Sequence, residues 1–135
     1  MALVVVDATA VVELVRRTKV GKRAADSLRG QTVTAPAHLD AEVLSALARM
    51  ARDDPDDAPL VRPRLRQLAR APITRYPCAP LLEDAWTLRD NVATRDALYV
   101  ALARQLDAEL VTCDARLARA PASVLGITVH LVDVE

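Results

Sequence analysis

Apolar positions along the chain alternate between two spacings. Residues 2–6 form an apolar, largely β-branched run that ends at Asp7, and the apolar residues from 8 to 15 then follow a helical spacing. This pattern predicts a strand, a tight turn and a helix, with Asp7 at the carboxyl end of the strand. Further strands are predicted at 32–35, 73–76, 110–113 and 129–132, and further helices at 20–28, 36–52, 60–70, 80–89, 95–106 and 115–119.

Two of the predicted helices carry acidic residues at notable positions. In the helix that Pro36 is expected to open, apolar residues repeat at helical spacing, and Glu42 and Arg49 fall two turns apart on another side. The helix at 95–106 is apolar almost all round and is therefore expected to be buried, although Asp96 lies near its start. The acidic residues at 53–57 predict a loop between helices and not a domain boundary.

Alternating strands and helices predict an α/β fold with a parallel sheet covered by helices. In such folds ligands bind beyond the carboxyl ends of the strands, and Asp7 and Asp114 both follow strands at that edge. A length of 135 residues suits one domain, spanning residues 1–135.

Composition narrows the class of protein. Apolar residues make up 52% and charged residues 27%, which indicates a soluble globular domain, and no stretch predicts a membrane span or a secretory signal. The two distant cysteines indicate neither zinc nor disulfides, and a cytoplasmic location is expected. Three scattered glycines exclude phosphate-binding glycine loops. With 18 basic and 18 acidic residues, any contact with nucleic acid must come from local patches.

The strongest chemical signal is a set of acids expected at one rim of the sheet. Carboxylates at close range repel one another unless a cation neutralises them, and hard oxygen ligands favour Mg²⁺ or Mn²⁺. Such a site suits hydrolysis of a phosphodiester. The candidate catalytic and metal-binding residues are Asp7, Glu42, Asp96 and Asp114, with Thr9 and Thr112 as supporting hydroxyls. Taken singly, Asp7 or Asp114 could instead be a helix cap.

A basic cluster without an intervening acid follows the first predicted helix. It is a candidate RNA-binding surface, and a solvated helix face is the alternative. With 2% aromatic residues, substrate choice is expected to depend on RNA shape and backbone and not on stacking. His38, Trp86 and Tyr99 are expected to have ordinary polar or packing roles. The cluster consists of Arg16, Arg17, Lys19, Lys22 and Arg23.

Four segments together resemble the PIN-domain nucleases, and among them the VapC-type toxins of toxin–antitoxin pairs. They are VVVDATAVVELV at the start, HLDAEVLSAL around Glu42, RDALYVALA around Asp96 and LVTCDARL around Asp114. The order and spacing of the four segments extend the resemblance over nearly the whole chain. Arg95 is a departure, because many relatives carry an aromatic or aliphatic residue before the aspartate.

The resemblance implies a three-layer α/β/α PIN-like domain with a central, mostly parallel sheet. It further implies a metal-dependent endoribonuclease, usually a homodimer, which an antitoxin holds inactive by covering the acidic site. Asp7, Glu42, Asp96 and Asp114 correspond to the metal-binding quartet of that family, and Thr112 to a polar helper. Two alternatives stay open: a non-catalytic PIN-like module that binds RNA or protein, and a nuclease of the same fold that acts on DNA.

Overall fold

The chain alternates strands and helices over residues 2–133, which are the residues that the computed structural model describes. The strands are β1 (Leu3–Val6), β2 (Thr32–Pro36), β3 (Ile73–Tyr76), β4 (Glu109–Thr112) and β5 (Val129–Leu131). The helices are α1 (Ala8–Arg16), α2 (Lys19–Leu28), α3 (Leu39–Asp53), α4 (Ala58–Arg70), α5 (Leu82–Thr87), α6 (Thr94–Leu106), α7 (Ala115–Ala118) and α8 (Ala122–Leu125). Within the described residues, no helix is long and apolar enough to cross a bilayer.

The strands form one parallel sheet in the order β3-β2-β1-β4-β5. Strand β1 is therefore central, and the chain turns to opposite sides of it through β2 and β4. Val6 of β1 pairs with Val111 of β4, so that Asp7 lies beside Thr112 at the carboxyl edge of the sheet. This is the edge at which α/β proteins bind ligands. The predicted α/β fold is confirmed.

Helices cover both faces of the sheet because strand residues alternate between them. Val4 and Val111 pack with Ala24 of α2 in one cluster. The adjacent strand residues Val5 and Leu110 belong instead to the main core, which also contains most of α6. This helix, α6, is the one that the sequence predicts to be buried all round. It thus lies between the sheet and the neighbouring helices, and its first turn reaches the carboxyl edge of the sheet.

Three of the differences between the structure and the prediction lie at Pro36, at 53–57 and at 80–89, and α8 was not predicted. Pro36 does not open α3 but is the last residue of β2. There it pairs with Tyr76 of β3, and it lies beyond the residues of β2 that pair with β1. The missing N–H of Pro36 therefore costs the sheet no hydrogen bond. The predicted loop at 53–57 is shorter, because α3 extends through Asp53 and a 3₁₀ turn follows at Pro55–Asp57. The helix predicted at 80–89 is a 3₁₀ turn at Ala79–Leu81 followed by α5.

Candidate functional site

A cleft of about 690 Å³ opens at the carboxyl edge of β1 and β4. Helices α1, α3 and α6 and the turn after β4 form its walls. The structure brings together the four acids expected from the sequence, because each of these elements contributes one of them to the lining: Asp7, Glu42, Asp96 and Asp114.

Asp7 is the deepest of the four acids, with 3% of its surface exposed. Its Oδ1 accepts hydrogen bonds from Thr9 Oγ1 at 2.7 Å and from the amide of Ala10 at 3.1 Å, and its Oδ2 accepts one from Thr112 Oγ1 at 2.5 Å. Through the hydrogen bond from Ala10, Asp7 also caps the N-terminus of α1, which is the helix-cap role that the sequence left open as an alternative. A carboxylate has room for about four such bonds, so about one lone pair is left over.

The two threonines are fixed by the same network. Each hydroxyl has one proton, which it donates to Asp7, and each accepts a backbone amide at 3.0 Å: Thr9 from Cys113 and Thr112 from Asp114. Their oxygens are 3.2 Å apart, and neither has a second proton to give to the other. Thr9 and Thr112 therefore fix the orientation of the Asp7 carboxylate, and their supporting role at a metal site stays a prediction.

The environment of Asp7 disfavours its charge. Burial raises the pKa of Asp7 from 3.8 to about 6, although the hydrogen bonds from Thr112, Thr9 and Ala10 act in the opposite direction, and the charge of Asp96 raises it further. Within residues 2–133 no Lys, Arg or His forms an ion pair with Asp7. The carboxylate is solvated by neutral donors alone, and its charge is left uncompensated.

Asp96 is the second acid whose charge is incompletely compensated within the cleft. It is half-buried in the first turn of α6 and has neither an ion pair nor a hydrogen bond from its side chain among the described residues. Burial and then the charge of Glu42 raise its pKa, and Asp114 adds to this; Arg95 and Arg116 lower it without reversing the shift. These effects on pKa show that Asp96 lies within electrostatic reach of the other three acids.

Glu42 and Asp114, in contrast, have partners. Glu42 Oε1 accepts a hydrogen bond of 2.5 Å from the hydroxyl of buried Tyr99, and Nε2 of His38 lies 3.5 Å away. Arg95 lies 3.7 Å from Glu42 Oε2. Asp114 caps α7 by accepting the amide of Arg116 at 2.9 Å, and its Oδ1 is 3.6 Å from the Arg116 guanidinium.

Tyr99 lines the cleft, although the sequence pattern predicts only a packing role for it. Its ring is buried, and its centroid lies 4.7 Å from that of His38, which also lines the cleft. Burial and the bond to Glu42 raise the pKa of Tyr99 far above its usual value, so the hydroxyl stays protonated and donates. The spacing Asp96 to Tyr99, one helical turn, is the sequence signal that could have placed both on the cleft side of α6.

The cations that line the cleft are mostly different from those expected. Of the predicted basic cluster only Arg16 lines it; Arg17 is the exposed C-cap of α1, and Lys19, Lys22 and Arg23 belong to α2 outside it. The other lining arginines come from α3, α6 and α7, and they are Arg49, Arg95 and Arg116.

The arrangement of the acids is open. Among residues 2–133 no three His, Cys, Asp or Glu side chains stand close enough together to form a metal-binding cluster in their present positions. The donors on the cleft wall are nevertheless carboxylate oxygens, which are the ligands that Mg²⁺ and Mn²⁺ prefer. Within residues 2–133, no cationic side chain forms an ion pair with two of these carboxylates, Asp7 and Asp96. The donor set therefore fits a divalent cation.

Comparison with known proteins places the fold and the sequence in one family. The PIN domain model matches residues 4–123. Ribonuclease VapC3 of Mycobacterium tuberculosis is 46% identical over 125 residues, which cover 92% of this chain and 91% of the relative. Ribonuclease VapC12 of the same organism is 39% identical over 121 residues, covering 87% and 91%.

Solved structures share the architecture at lower sequence identity. VapBC2 from Rickettsia felis, crystallised with a DNA fragment from its promoter, matches with a TM-score of 0.68 and 13% identity over 97% of this chain and 99% of that one. PAE2754 from Pyrobaculum aerophilum matches with a TM-score of 0.66 and 23% identity, covering 98% and 90%. These structures share the fold, and the PIN match and the two ribonuclease relatives show that the chain belongs to the PIN-domain family and, within it, to the VapC ribonucleases.

Proposed function

We propose that this chain is the toxin of a toxin–antitoxin pair and that it hydrolyses RNA phosphodiester bonds at the acidic cleft with the help of Mg²⁺ or Mn²⁺. The observation that carries the proposal is the contrast among the four acids. Arginines lie beside Glu42 and Asp114, whereas Asp7 and Asp96 have raised pKa values and no ion pair among the described residues. A bound divalent cation would remove that imbalance.

In this proposal Asp7 and Asp96 hold the cation, and Glu42 and Asp114 complete the site. When bound, the cation would activate a water molecule and stabilise charge on the phosphate. The protein's own part is orientation: Thr9 and Thr112 fix both oxygens of Asp7, and Tyr99 fixes one oxygen of Glu42. Arg95 and Arg116 are 75% and 84% exposed at the rim, where they can meet the phosphates of an incoming RNA.

Asp96→Asn is the central test, because it preserves size while removing a charge. We expect the variant to lose cleavage of total RNA in Mg²⁺ or Mn²⁺ and to melt in chelator at the wild-type temperature or above it, since neutralising one of several carboxylates relieves repulsion. Asp90→Asn, an exposed acid outside the cleft, is the matched control and should cleave normally. Wild-type cleavage by Asp96→Asn, or a much lower melting temperature, would make Asp96 structural.

Metal binding can be measured without activity. Titration calorimetry with Mn²⁺ should show binding by the wild type and none by Asp7→Asn combined with Asp96→Asn. Equal binding by both proteins would contradict the metal site. Parallel assays on RNA and DNA of one sequence decide between the proposed ribonuclease and a DNA-directed nuclease, and a protein that binds RNA without cutting it would be the non-catalytic module.

The surroundings of the acids also suit capture by an antitoxin. The cleft lining includes the apolar side chains of Val12, Ala46 and Met50 next to the carboxylates. We propose that an antitoxin segment with an apolar helix and a cationic tail binds there. Copurification with the product of the adjacent gene should show the complex, and a harmless free protein in the native host would count against it. The expected homodimer remains a prediction, which light scattering can test.

A further inference from the structure

Helix α3 carries a stripe of polar residues that continues the acidic site along the cleft. Glu42, Ser45 and Arg49 all line it, at spacings of three and four residues that place them on one side of a helix. Arg49 follows Glu42 by seven positions, which corresponds to about 10 Å along the helix axis. The stripe therefore runs from the carboxylates to a cation some distance from the reacting centre.

Arg49 differs from the arginines nearest to the acids because its charge is unused. Arg95 lies beside Glu42 and Arg116 beside Asp114, whereas Arg49 is exposed and makes no ion pair or side-chain hydrogen bond with any residue in 2–133. Its guanidinium can therefore be given to a ligand without breaking a contact of the protein. The N–H donors of an arginine guanidinium lie in one plane, in an arrangement that can bind a phosphate through two hydrogen bonds.

Arg16 of α1 supplies a second cation in the same cleft. It forms ion pairs with Glu13 at 3.6 Å and with Asp57 at 3.7 Å, but its buried Nε has no hydrogen-bond partner among the described residues. Polar groups that are buried without a partner are uncommon. An anion that drew the Arg16 side chain into the cleft would satisfy donors that the protein itself leaves unsatisfied.

We propose that Arg49, assisted by Arg16, binds a phosphate of the RNA other than the one that is cleaved. This rests on the proposed function, which puts the scissile phosphate at the carboxylates. The separation of about 10 Å along the helix axis between Glu42 and Arg49 then favours a different phosphate of the same strand. A backbone contact also suits a cleft whose described lining has Tyr99 as its only Tyr or Trp, with a buried ring that is not available for stacking on bases.

Steady-state cleavage of an oligoribonucleotide tests the assignment with a matched control. Arg49→Ala should raise KM about tenfold with little change in kcat, because the contact binds substrate and transition state alike. Arg49→Lys should recover part of the loss. Arg52→Ala, an exposed arginine on the same helix but outside the cleft, should behave as wild type. Equal melting temperatures would show that all the variants are folded.

Two further measurements identify the ligand as a phosphate. In chelator, the slope of log affinity for single-stranded RNA against log salt concentration should fall by about 0.7 for Arg49→Ala. RNA shortened stepwise from either end should reach a length at which wild type and Arg49→Ala cleave equally well, because the phosphate that Arg49 binds is gone.

The outcomes separate this inference from the proposed function. If wild type cleaves RNA while Arg49→Ala and Arg52→Ala have the same KM and salt slope, the phosphate subsite is wrong and the nuclease stands. If Arg49→Ala lowers kcat alone, or weakens only the complex with an antitoxin, the inference is equally overturned. If wild type neither binds nor cleaves RNA, the proposed function itself has failed.

Discussion

Substitution of Asp7 by asparagine should stabilise the metal-free protein, although it alters the most deeply buried of the four acids. Burial raises the pKa of Asp7 from 3.8 to about 6, and this difference corresponds to about 3 kcal/mol in favour of the neutral side chain. Asparagine imitates that neutral form. The side-chain oxygen of the asparagine can accept the hydrogen bonds from Thr9 and Ala10. Its side-chain nitrogen can donate a hydrogen bond to Thr112 Oγ1 once the Thr112 hydroxyl proton has rotated away.

The sign of the pH dependence follows from the raised pKa. The folded protein binds the Asp7 proton more tightly than the unfolded chain does, so this contribution to stability is fully present below about pH 4 and is lost as pH rises through about 6. At about pH 8 the variant should exceed the wild type by about 3 kcal/mol in free energy of unfolding, and at about pH 5 by roughly half of that.

Urea unfolding in chelator at these two pH values measures both quantities. Asp90→Asn is again the control, and its difference from wild type should stay small at both pH values. A divalent cation should reverse the ranking, since saturating Mn²⁺ stabilises a protein that binds it and not one that has lost a ligand. The reasoning is refuted if Asp7→Asn is less stable than wild type at about pH 8 in chelator, or if the gap does not widen between the two pH values.

Three other outcomes are expected. Tyr99→Phe, which removes the hydrogen bond to Glu42, should raise the Mn²⁺ concentration needed for half-maximal cleavage while melting in chelator changes little; an unchanged Mn²⁺ requirement would limit Tyr99 to packing. Gly21→Ala should destabilise by about 3 kcal/mol in urea, because the added methyl group overlaps the carbonyl of Glu13, and wild-type stability would contradict this close approach of α1 and α2. Burial raises the pKa of Cys113 to about 12, so iodoacetamide should label it far more slowly in the native than in the unfolded protein, whereas equal rates would show an accessible thiolate.

The central part of the fold was predictable because it depends on strong and local signals. The apolar runs before Asp7 and Asp114 identify β1 and β4 as strands, and parallel pairing then requires that both aspartates come out at the same edge. Pro36 was misplaced because a proline can end a strand or open a helix. The choice depends on whether a neighbour needs its N–H, and that is fixed by the sheet register.

The charged surroundings of the acids were less predictable. The run from Arg16 to Arg23 is compact in sequence, but the turn between α1 and α2 carries Lys19 and Lys22 away from the cleft. Arg49 stands alone among apolar neighbours and gives no cluster signal. Arg49 lines the cleft because α3 turns toward the cleft the side that carries Glu42. This orientation of α3 depends on how α1, α3 and α6 pack together.

The same dependence on packing explains why the fold can tolerate acids that oppose its own stability. Asp7 follows a central strand, and its burial is a consequence of the sheet that makes the core; the free energy lost by ionising it is small compared with that of burying β1 and α6. The protein could have balanced Asp7 and Asp96 with arginines, as it does Glu42 and Asp114. Arginines are present in the cleft, yet none forms an ion pair with either acid. In the proposed function, the absence of such ion pairs within residues 2–133 would leave Asp7 and Asp96 available to a cation from solution.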